Sequence, residues 1–280
     1  MKFYKYHALG NDYIILNPDD FAAEITKEQI RRICNRNYGL GSDGVLYGPI
    51  TAKDADFALR IFNPDGSEAE KSGNGLRIFS RYLWDMKKVG TKPFTISTPG
   101  GKVKAQVQQN GRKITVGMGK ASFDSSKIPV AGAKREVINE EMEIDGEPIK
   151  FSAVTIGNPH CVILKDKISE ELARKLGPKI ETDRRFPNRT NVQFMKVLDR
   201  TNIQIEIWER GAGYTLSSGT SSCAAAAAAR RLGLCDSQIK VHTPGGQIDV
   251  TVSDDYSITM TGSVTKIAEG IVSEEVFSQT

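Results

Sequence analysis

The chain has 280 residues, of which 39% are hydrophobic, 8% aromatic and 26% charged, and its formal net charge is +4. These ordinary values for a soluble globular protein allow two domains with hydrophobic cores. The small net charge, without a run of Lys or Arg, argues against a nucleic-acid partner, and no apolar stretch reaches the ~20 residues of a membrane-spanning helix.

Cofactor and metal signatures are missing from the sequence. No phosphate-binding GxxxxGK[ST] motif, dinucleotide fingerprint or pyridoxal phosphate lysine context is recognisable. The N-terminal Met-Lys-Phe-Tyr-Lys lacks a secretory apolar region, which favours a cytoplasmic enzyme. No CxxC pair suggests zinc or a disulfide framework, since the four cysteines are scattered at Cys34, Cys161, Cys223 and Cys235.

The first half of the chain alternates between strand and helix patterns. A helix after Ser72 is predicted because Leu76, Phe79 and Leu83 share one face, and Gly90 is its predicted end. Around it, the patterns predict a strand at 12–16, a helix at 26–35 and strands at 57–62, 94–97, 102–107 and 113–118.

The second half repeats this order. Ser169 is a predicted helix cap with Gly177 as the helix end, and Gly233 is predicted to end an Ala-rich helix. The predicted elements are strands at 154–156 and 161–164, a helix at 169–176, strands at 191–197 and 203–208, a helix at 221–232, and strands at 241, 248–252 and 258–261.

A long-period duplication connects the two halves. Ser72-Gly-Asn-Gly matches Ser218-Gly-Thr, 146 residues later, and each is followed by a helix pattern and a Thr-Pro-Gly-Gly turn. An upstream match pairs Gly10-Asn11 with Gly157-Asn158. Repetition at this period predicts two duplicated lobes that present matched polar groups to one ligand.

The two serine segments are candidate anion sites. Each lies directly before a predicted helix, where backbone N–H groups lack intrahelical partners and the helix dipole is positive. A single Ser-Gly segment is better explained as an ordinary cap. Two copies in matched lobes favour a carboxylate site.

Polar residues follow the two matched strands. Asn63 ends one, and Glu209 with Arg210 ends the other. Arg210 can bind a carboxylate through two hydrogen bonds and Glu209 can accept an ammonium group, which suggests an amino-acid ligand. A surface ion pair is the plain alternative. His160, one of three histidines, is more simply structural.

Jointly, the motifs resemble the diaminopimelate epimerase family, a cofactor-independent group similar to proline racemases. The resemblance covers essentially the whole chain. It rests on Gly-Asn-Asp at 10–12, Gly41-Ser-Asp-Gly44, Asn63-Pro-Asp-Gly-Ser-Glu-Ala-Glu70, Gly73-Asn-Gly75, Gly157-Asn-Pro-His160, Arg189-Thr-Asn191 and Glu209-Arg-Gly-Ala-Gly213.

The resemblance implies an α/β (α+β) fold of two pseudo-symmetric lobes, each a β-barrel-like sheet around a central helix, with the ligand in the cleft between them. The expected lobes are 1–119, completed by 265–280, and 120–264. The implied substrate-binding residues are Asn11, Asn63, Gly73, Asn74, Asn158, Asn191, Glu209, Arg210, Gly219 and Thr220, with His160 behind them. A homodimer is compatible with this reading.

The sequence departs from the family at the two catalytic positions. The family uses two cysteines on opposite faces of the substrate Cα, and here both positions are serine, Ser72 and Ser218. A thiol has a reference pKa of about 8.5 and is readily activated at a helix N-terminus, whereas a hydroxyl is far less acidic. Further departures at Lys71, Tyr214, Ser217, Ser221 and Ser222 favour natural divergence over engineered serines.

Three functions therefore stay open. The leading one is a diaminopimelate epimerase or a Ser/Ser variant of it, with Ser72 and Ser218 as catalytic residues. The second is a catalytically silent amino-acid-binding paralogue. The third is a related dehydratase or racemase that acts on another amino acid, because a shared scaffold does not determine function.

Overall fold

The computed structural model describes residues 1–21 and 24–278. The chain divides into two compact units: an N-terminal unit of Met1–Gly117 with the segment from Gly262 onward, and a C-terminal unit of Met118–Thr261. Each unit combines one mixed sheet with a few helices, so the predicted α/β fold class is confirmed.

The N-terminal unit contains nine strands and three α-helices among the described residues. Its helices are α1 (Lys27–Cys34), α2 (Gly73–Asp85) and α5 (Glu275–Ser278), with a 3₁₀ turn at Pro18–Asp20. Its strands are β1 (Lys2–Ala8), β2 (Asn11–Leu16), β3 (Val45–Ile50), β4 (Phe57–Phe62), β5 (Glu68–Ala69), β6 (Phe94–Thr98), β7 (Gly101–Gln108), β8 (Lys113–Lys120) and, at the C-terminal end, β18 (Thr265–Ile271).

These strands form a sheet in the order β18-β1-β2-β3-β4-β6-β7-β8, with β5 paired to β4. The β2–β3 and β4–β6 pairs are parallel and the others are antiparallel. Parallel neighbours need a long crossover, which α1 supplies between β2 and β3 and α2 between β4 and β6. The sheet curves around α2, because this helix packs against β1 and β2 as well as against β7.

The C-terminal unit contains nine strands and two helices among the described residues. The helices are α3 (Glu170–Glu181) and α4 (Gly219–Arg231). The strands are β9 (Glu140–Ile144), β10 (Glu147–Thr155), β11 (Pro159–Leu164), β12 (Asn191–Asp199), β13 (Asn202–Glu209), β14 (Gly213–Thr215), β15 (Gln238–Thr243), β16 (Gly246–Val252) and β17 (Ser257–Gly262).

The strand order of this second sheet, β9-β10-β11-β12-β13-β15-β16-β17, repeats the order of the first. The parallel pairs β11–β12 and β13–β15 also match, and β14 pairs with β13 as β5 does with β4. The position of β9 beside β10 corresponds to that of β18 beside β1, although β18 comes from the other end of the chain. The predicted duplication therefore extends to the whole sheet topology.

Helix α4 is the buried centre of its unit. Every alanine from 224 to 229 is fully buried, and the helix packs against strands from β10 to β16. Alanine suits this position because it has the best helix propensity and lets the surrounding strands approach closely.

The end of α2 differs from the prediction, and the end of α4 agrees with it. Helix α2 ends at Asp85 rather than near Gly90, because Lys87 adopts the left-handed conformation (φ 55°). The N–H of Lys87 donates to Trp84 O, and the N–H of Lys88 donates to Leu83 O. This is a Schellman end with lysine in the usual glycine position. At the end of α4, Gly233 takes that position as predicted.

Gly177 does not end α3. The helix continues through Pro178 to Glu181. A Cβ on Gly177 would lie 2.5 Å from Trp208 Cγ, so this glycine serves the close contact between α3 and the indole of β13. The Ser169 cap is confirmed. The sequence patterns missed six strands, namely β1, β3, β5, β9, β14 and β18.

Candidate active site

Ser72 is the N-cap of α2. Its backbone is extended (φ −136°, ψ 120°), and its Oγ accepts a hydrogen bond from Gly75 N at 3.0 Å. The following N–H groups of Gly73 and Asn74 lie in the first helical turn, where no intrahelical acceptor exists. The helix therefore directs a serine oxygen and the positive end of its dipole to one place, as the sequence predicted.

Asn11 and Asn74 are joined in a chain of side-chain hydrogen bonds. Asn11 Nδ2 donates to Asp43 Oδ2 at 2.9 Å, and Asn11 Oδ1 accepts from Asn74 Nδ2 at 3.0 Å. Asn74 Oδ1 in turn accepts from the buried guanidinium of Arg77. These partners determine which amide atom faces which way on both asparagines. We call Asn11, Ser72, Gly73 and Asn74 the N-terminal polar cluster.

Asp43, the partner of Asn11, belongs to an ion network that also contains Asp12, Arg36 and Lys5. Arg36 Nη2 donates to Asp12 at 2.8 Å and to Asp43 at 2.7 Å, and Lys5 Nζ lies 3.0 Å from Asp12. Burial raises the pKa of Asp12, but the bonds to Arg36 and Lys5 outweigh it and leave this pKa below its ordinary value. Asp12 is therefore ionised at neutral pH, and Arg36 joins it to Asp43, the carboxylate that accepts from Asn11.

Tyr13 is a neighbour of Ser72 that the sequence reasoning missed. Its phenol oxygen lies 3.2 Å from Ser72 Oγ, and the residue is 8% exposed. A Cβ on Gly44 would lie 2.7 Å from Tyr13 Cε1, so this glycine makes room for the ring. A signal was present, because extending the Gly10-Asn11 and Gly157-Asn158 match aligns Tyr13 with His160.

Asn63 lies apart from this hydrogen-bond chain. It is exposed after β4, and its Nδ2 donates to Ser67 Oγ at 3.0 Å within its own turn. Its proposed role in substrate binding stays a prediction.

Ser218 caps α4 in the matching position. Its φ of −137° and ψ of 125° repeat those of Ser72, but its Oγ lies 3.4 Å from Ser221 N and 3.4 Å from Thr220 Oγ1. Ser222 Oγ donates to the Ser218 carbonyl at 2.8 Å. The cap bond at Ser218 is therefore longer than the one at Ser72.

Of the other predicted residues in the second lobe, Asn191 and Arg210 are joined directly by a hydrogen bond, and Glu209 precedes Arg210 in the chain. Asn191 Nδ2 donates to Pro159 O at 2.8 Å, and Asn191 Oδ1 accepts from Arg210 N at 3.0 Å. The exposed Arg210 guanidinium donates to Asn188 O at 3.1 Å. Glu209 accepts from Thr215 Oγ1 at 3.2 Å. We call Asn158, Asn191, Glu209, Arg210, Ser218, Gly219 and Thr220 the C-terminal polar cluster.

His160 is a fully buried neighbour of this cluster. One ring nitrogen, Nε2, lies 2.9 Å from Asn158 Oδ1. Burial lowers the pKa of His160 to about 3, the nearby positive charge of Arg210 adds to this, and a hydrogen bond to Gln193 opposes it. The ring is therefore neutral at neutral pH and orients Asn158.

Stability should fall on mild acidification because of His160. The unfolded chain binds a proton on this histidine near pH 6.5 whereas the folded chain does not until about pH 3, so the unfolding free energy decreases as the pH falls through that window. Between pH 7 and 5 we expect a loss of about 2 kcal/mol from this group. Denaturant unfolding at both pH values should show a loss that His160→Gln removes and His7→Gln, the control, retains. Equal losses in all three proteins would contradict it.

The thiols of the chain do not replace the two serines. All four cysteines are buried and free of disulfides. Burial raises the pKa of Cys34 to about 12 and raises that of Cys161 further, which disfavours the reactive thiolate. Within the described residues, no group of three or more His, Cys, Asp or Glu side chains is placed to hold a metal ion.

The chain is similar in sequence to several known proteins. A sequence model of the family described as "Diaminopimelate epimerase" matches residues 3–124 and 152–267. The chain is 62% identical to "Diaminopimelate epimerase 2" of Nostoc sp. over 278 residues, which cover 99% of this chain and 98% of that protein. It is 37% identical to "Diaminopimelate epimerase" of Stutzerimonas stutzeri over 274 residues, or 97% and 99% of the two chains.

A solved structure shares the fold at low sequence identity. The crystal structure of a probable proline racemase from Agrobacterium radiobacter superposes with a TM-score of 0.73 at 16% identity, covering 99% of this chain and 94% of that one. In the part of the chain that the structure describes, no helix combines the length and apolar character needed to cross a membrane.

The family model matches most of the chain, and the relatives are covered almost completely. The chain therefore belongs to the diaminopimelate epimerase family.

Proposed function

We propose that this chain is a cofactor-independent epimerase that inverts one α-carbon of diaminopimelate. The observation that carries the proposal is the pair of matched helix caps: Ser72 and Ser218 precede α2 and α4 with the same backbone conformation. In each case the adjacent N–H groups and helix dipole suit a carboxylate. The sheet order around both helices is also the same.

The proposed ligand is zwitterionic because the clusters offer groups of both signs. Asn11 and Asn74 present oriented amides, Arg210 presents an exposed guanidinium, and Glu209 presents a carboxylate. A guanidinium suits a carboxylate and a carboxylate suits an ammonium group. The names of the relatives supply diaminopimelate as the specific compound.

The proposed reaction removes one proton from Cα and returns another to the opposite face, so the serine that acts as base starts as an alkoxide and the serine that acts as acid ends as one. One serine oxygen removes the Cα proton, the electron pair stays on the substrate as a carbanion stabilised into its carboxylate, and the other serine hydroxyl gives a proton to the opposite face. The resemblance to the family implies that Ser72 and Ser218 act on opposite faces of one α-carbon, and we adopt that expectation. A cytoplasmic location and a homodimer belong to the same proposal.

Proton exchange at Cα, followed by NMR in D₂O with LL- and meso-diaminopimelate, tests this function. Exchange with conversion between the isomers supports it. Binding measured by calorimetry, weakened in Asn74→Ala and unchanged in the exposed control Asn37→Ala, tests the ligand separately. No exchange and no binding of either isomer would reject diaminopimelate as the substrate.

A silent binding protein is the second candidate, and one observation favours it. Within the described residues, neither cap serine has a carboxylate or imidazole at hydrogen-bond distance; Ser72 contacts Tyr13 and Ser218 contacts Thr220. General-base catalysis favours a group whose pKa is near the working pH, and the pKa of a lone hydroxyl is far above it. Tight binding with no exchange at any pH would select this candidate. Water loss from a β-hydroxy amino acid would select the dehydratase.

A further inference from the structure

Ser72 Oγ has two hydrogen-bond partners in its own unit. Its Oγ accepts from Gly75 N at 3.0 Å, and the phenol of Tyr13 lies 3.2 Å from the same oxygen. A hydroxyl has two acceptor lone pairs and one proton, so this pair permits either oxygen to donate to the other. A proton can therefore pass between Ser72 and Tyr13 without either side chain moving.

Backbone pairing and packing keep Tyr13 in this position. It lies on β2, opposite Tyr6 of β1, and its ring fills the space left by Gly44. The residue is 8% exposed, so the phenol is largely shielded from solvent.

The charged side chains of the neighbouring elements have partners of their own. On β1, Lys5 contacts Asp12, and Tyr6 donates its hydroxyl to Asp85 at 2.9 Å. After α1, Arg36 bridges Asp12 and Asp43, and on α2 Arg77 donates to Asn74. On β3, Tyr47 is buried. Each of these cations already faces a carboxylate or an amide oxygen.

The matching position in the other unit is arranged differently. His160, which aligns with Tyr13, contacts Asn158, and Ser218 has Thr220 as its hydroxyl neighbour. A threonine hydroxyl is no more acidic than serine, whereas a phenol has a reference pKa of about 10. The two cap serines are therefore chemically unequal despite their matching backbones.

We propose that Tyr13 is the proton carrier of Ser72. This inference rests on the proposed function. In the forward step the substrate Cα–H bond breaks, Ser72 Oγ takes that proton, and the hydroxyl proton of Ser72 passes to the Tyr13 phenolate. The electron pair remains on the substrate. When Ser72 returns a proton to the same face, the reverse transfer restores the phenolate. When Ser218 instead protonates the opposite face, the Tyr13 phenol releases its proton to water and the Ser218 alkoxide takes one from water, which completes the cycle. No oxidant, metal or cofactor is required.

Two consequences follow for the unmodified chain. The phenolate is a minor species at neutral pH, so the exchange rate should rise about tenfold per pH unit until the phenol titrates. Exchange should also be faster for the isomer whose Cα proton faces Ser72, because Ser218 lacks an equivalent carrier. That isomer should exchange its proton with solvent more often than it inverts.

The decisive experiment is the pH profile of Cα exchange in the unmodified chain, Tyr13→Phe and the matched control Tyr47→Phe. We expect Tyr13→Phe to lose about 10²-fold or more in exchange rate, since a positioned general base contributes about 10²–10⁴-fold. Tyr47→Phe should match the parent. Replacing Tyr13 by 3-fluorotyrosine, whose phenol is more acidic, should move the whole profile to lower pH, which a merely structural tyrosine would not do.

The outcomes separate this inference from the proposed function. Exchange that is unaffected in Tyr13→Phe would overturn the carrier role and leave the epimerase standing. If the parent shows neither exchange nor binding, the proposed function fails, and phenolate absorbance still tests the pair: Ser72→Ala should shift the titration of Tyr13. An unshifted titration, or no exchange up to alkaline pH in a parent that binds ligand, would overturn the carrier role.

Discussion

Restoring thiols at both caps, in Ser72→Cys/Ser218→Cys, should raise the rate of Cα exchange on diaminopimelate by about 10³-fold near pH 8. A thiol has a reference pKa of about 8.5, and a helix N-terminus lowers it further because the dipole favours the thiolate. Both caps supply that environment, since each serine oxygen already contacts first-turn N–H groups of α2 or α4. A substantial thiolate fraction would then replace a vanishing alkoxide fraction.

Both thiols are needed for inversion. Each single variant should exchange a proton on one face with little isomer conversion, because a proton must leave one face and arrive at the other. Deuterium incorporation and the ratio of isomers, followed by NMR, distinguish the two results. The matched control Ser67→Cys/Ser126→Cys adds two thiols at exposed turns of the same chain and should leave the rate unchanged. If the double cap variant binds the ligand as the parent does but exchanges the Cα proton no faster, the chain lacks more of the catalytic apparatus than the two thiols.

Glu181→Ala should strongly destabilise the C-terminal unit, with a loss of about 3 kcal/mol in unfolding free energy. The carboxylate is 5% exposed at the end of α3 and accepts hydrogen bonds from Trp208 Nε1 (2.7 Å), Gly211 N (2.9 Å) and Arg189. Truncation would leave these donors unsatisfied and Arg189 without its counter-charge. The exposed Glu143→Ala is the control and should change stability little.

The cost of this variant should depend on pH. Burial raises the pKa of Glu181, but the hydrogen bonds from Arg189, Trp208 and Gly211 outweigh it and leave the pKa below its ordinary value. A depressed carboxyl pKa stabilises the fold above the unfolded pKa of about 4.3, and that contribution is lost as the pH falls through the folded value. Denaturant unfolding of parent and variant should therefore differ most at neutral pH and least below about pH 4. A constant difference would contradict an ionised Glu181.

The same variant should weaken ligand binding without touching a proposed ligand contact. Glu181 holds Gly211, the residue after Arg210, and so anchors the turn that carries Glu209 and Arg210. Calorimetry with diaminopimelate should show a weaker affinity in Glu181→Ala and an unchanged one in Glu143→Ala. Equal affinities would mean that the turn is held by its other contacts.

Helix capping and the alternation of apolar residues, which are local features of the sequence, predicted much of the fold. The caps Ser72, Ser169 and Ser218 were recognisable because a capping side chain acts on N–H groups two or three residues away. Strands such as β4 were recognisable from the alternation of apolar positions. Strands β1 and β18 show where local patterns fail to predict a strand. The burial of β18 has little alternation, and its pairing with β1 joins the two ends of the chain.

Glycine was the least dependable local signal. Gly233 ends α4 because it takes the left-handed conformation, but Lys87 takes the same conformation at the end of α2. Gly177 stays inside α3 because the indole of Trp208 needs its space. The reason for a glycine is visible only when the atoms facing it are known.

By itself, the sequence determined the duplicated element order, the two serine caps before matching helices and membership of the diaminopimelate epimerase family, because these features depend on neighbours close in sequence or on shared motifs. Only the tertiary structure decided which polar groups meet. Tyr13 reaches Ser72 across 59 residues and Asn74 reaches Asn11 across 63. Such contacts depend on strand pairing and packing, which no short-range pattern encodes, and they make two caps with the same backbone conformation chemically different.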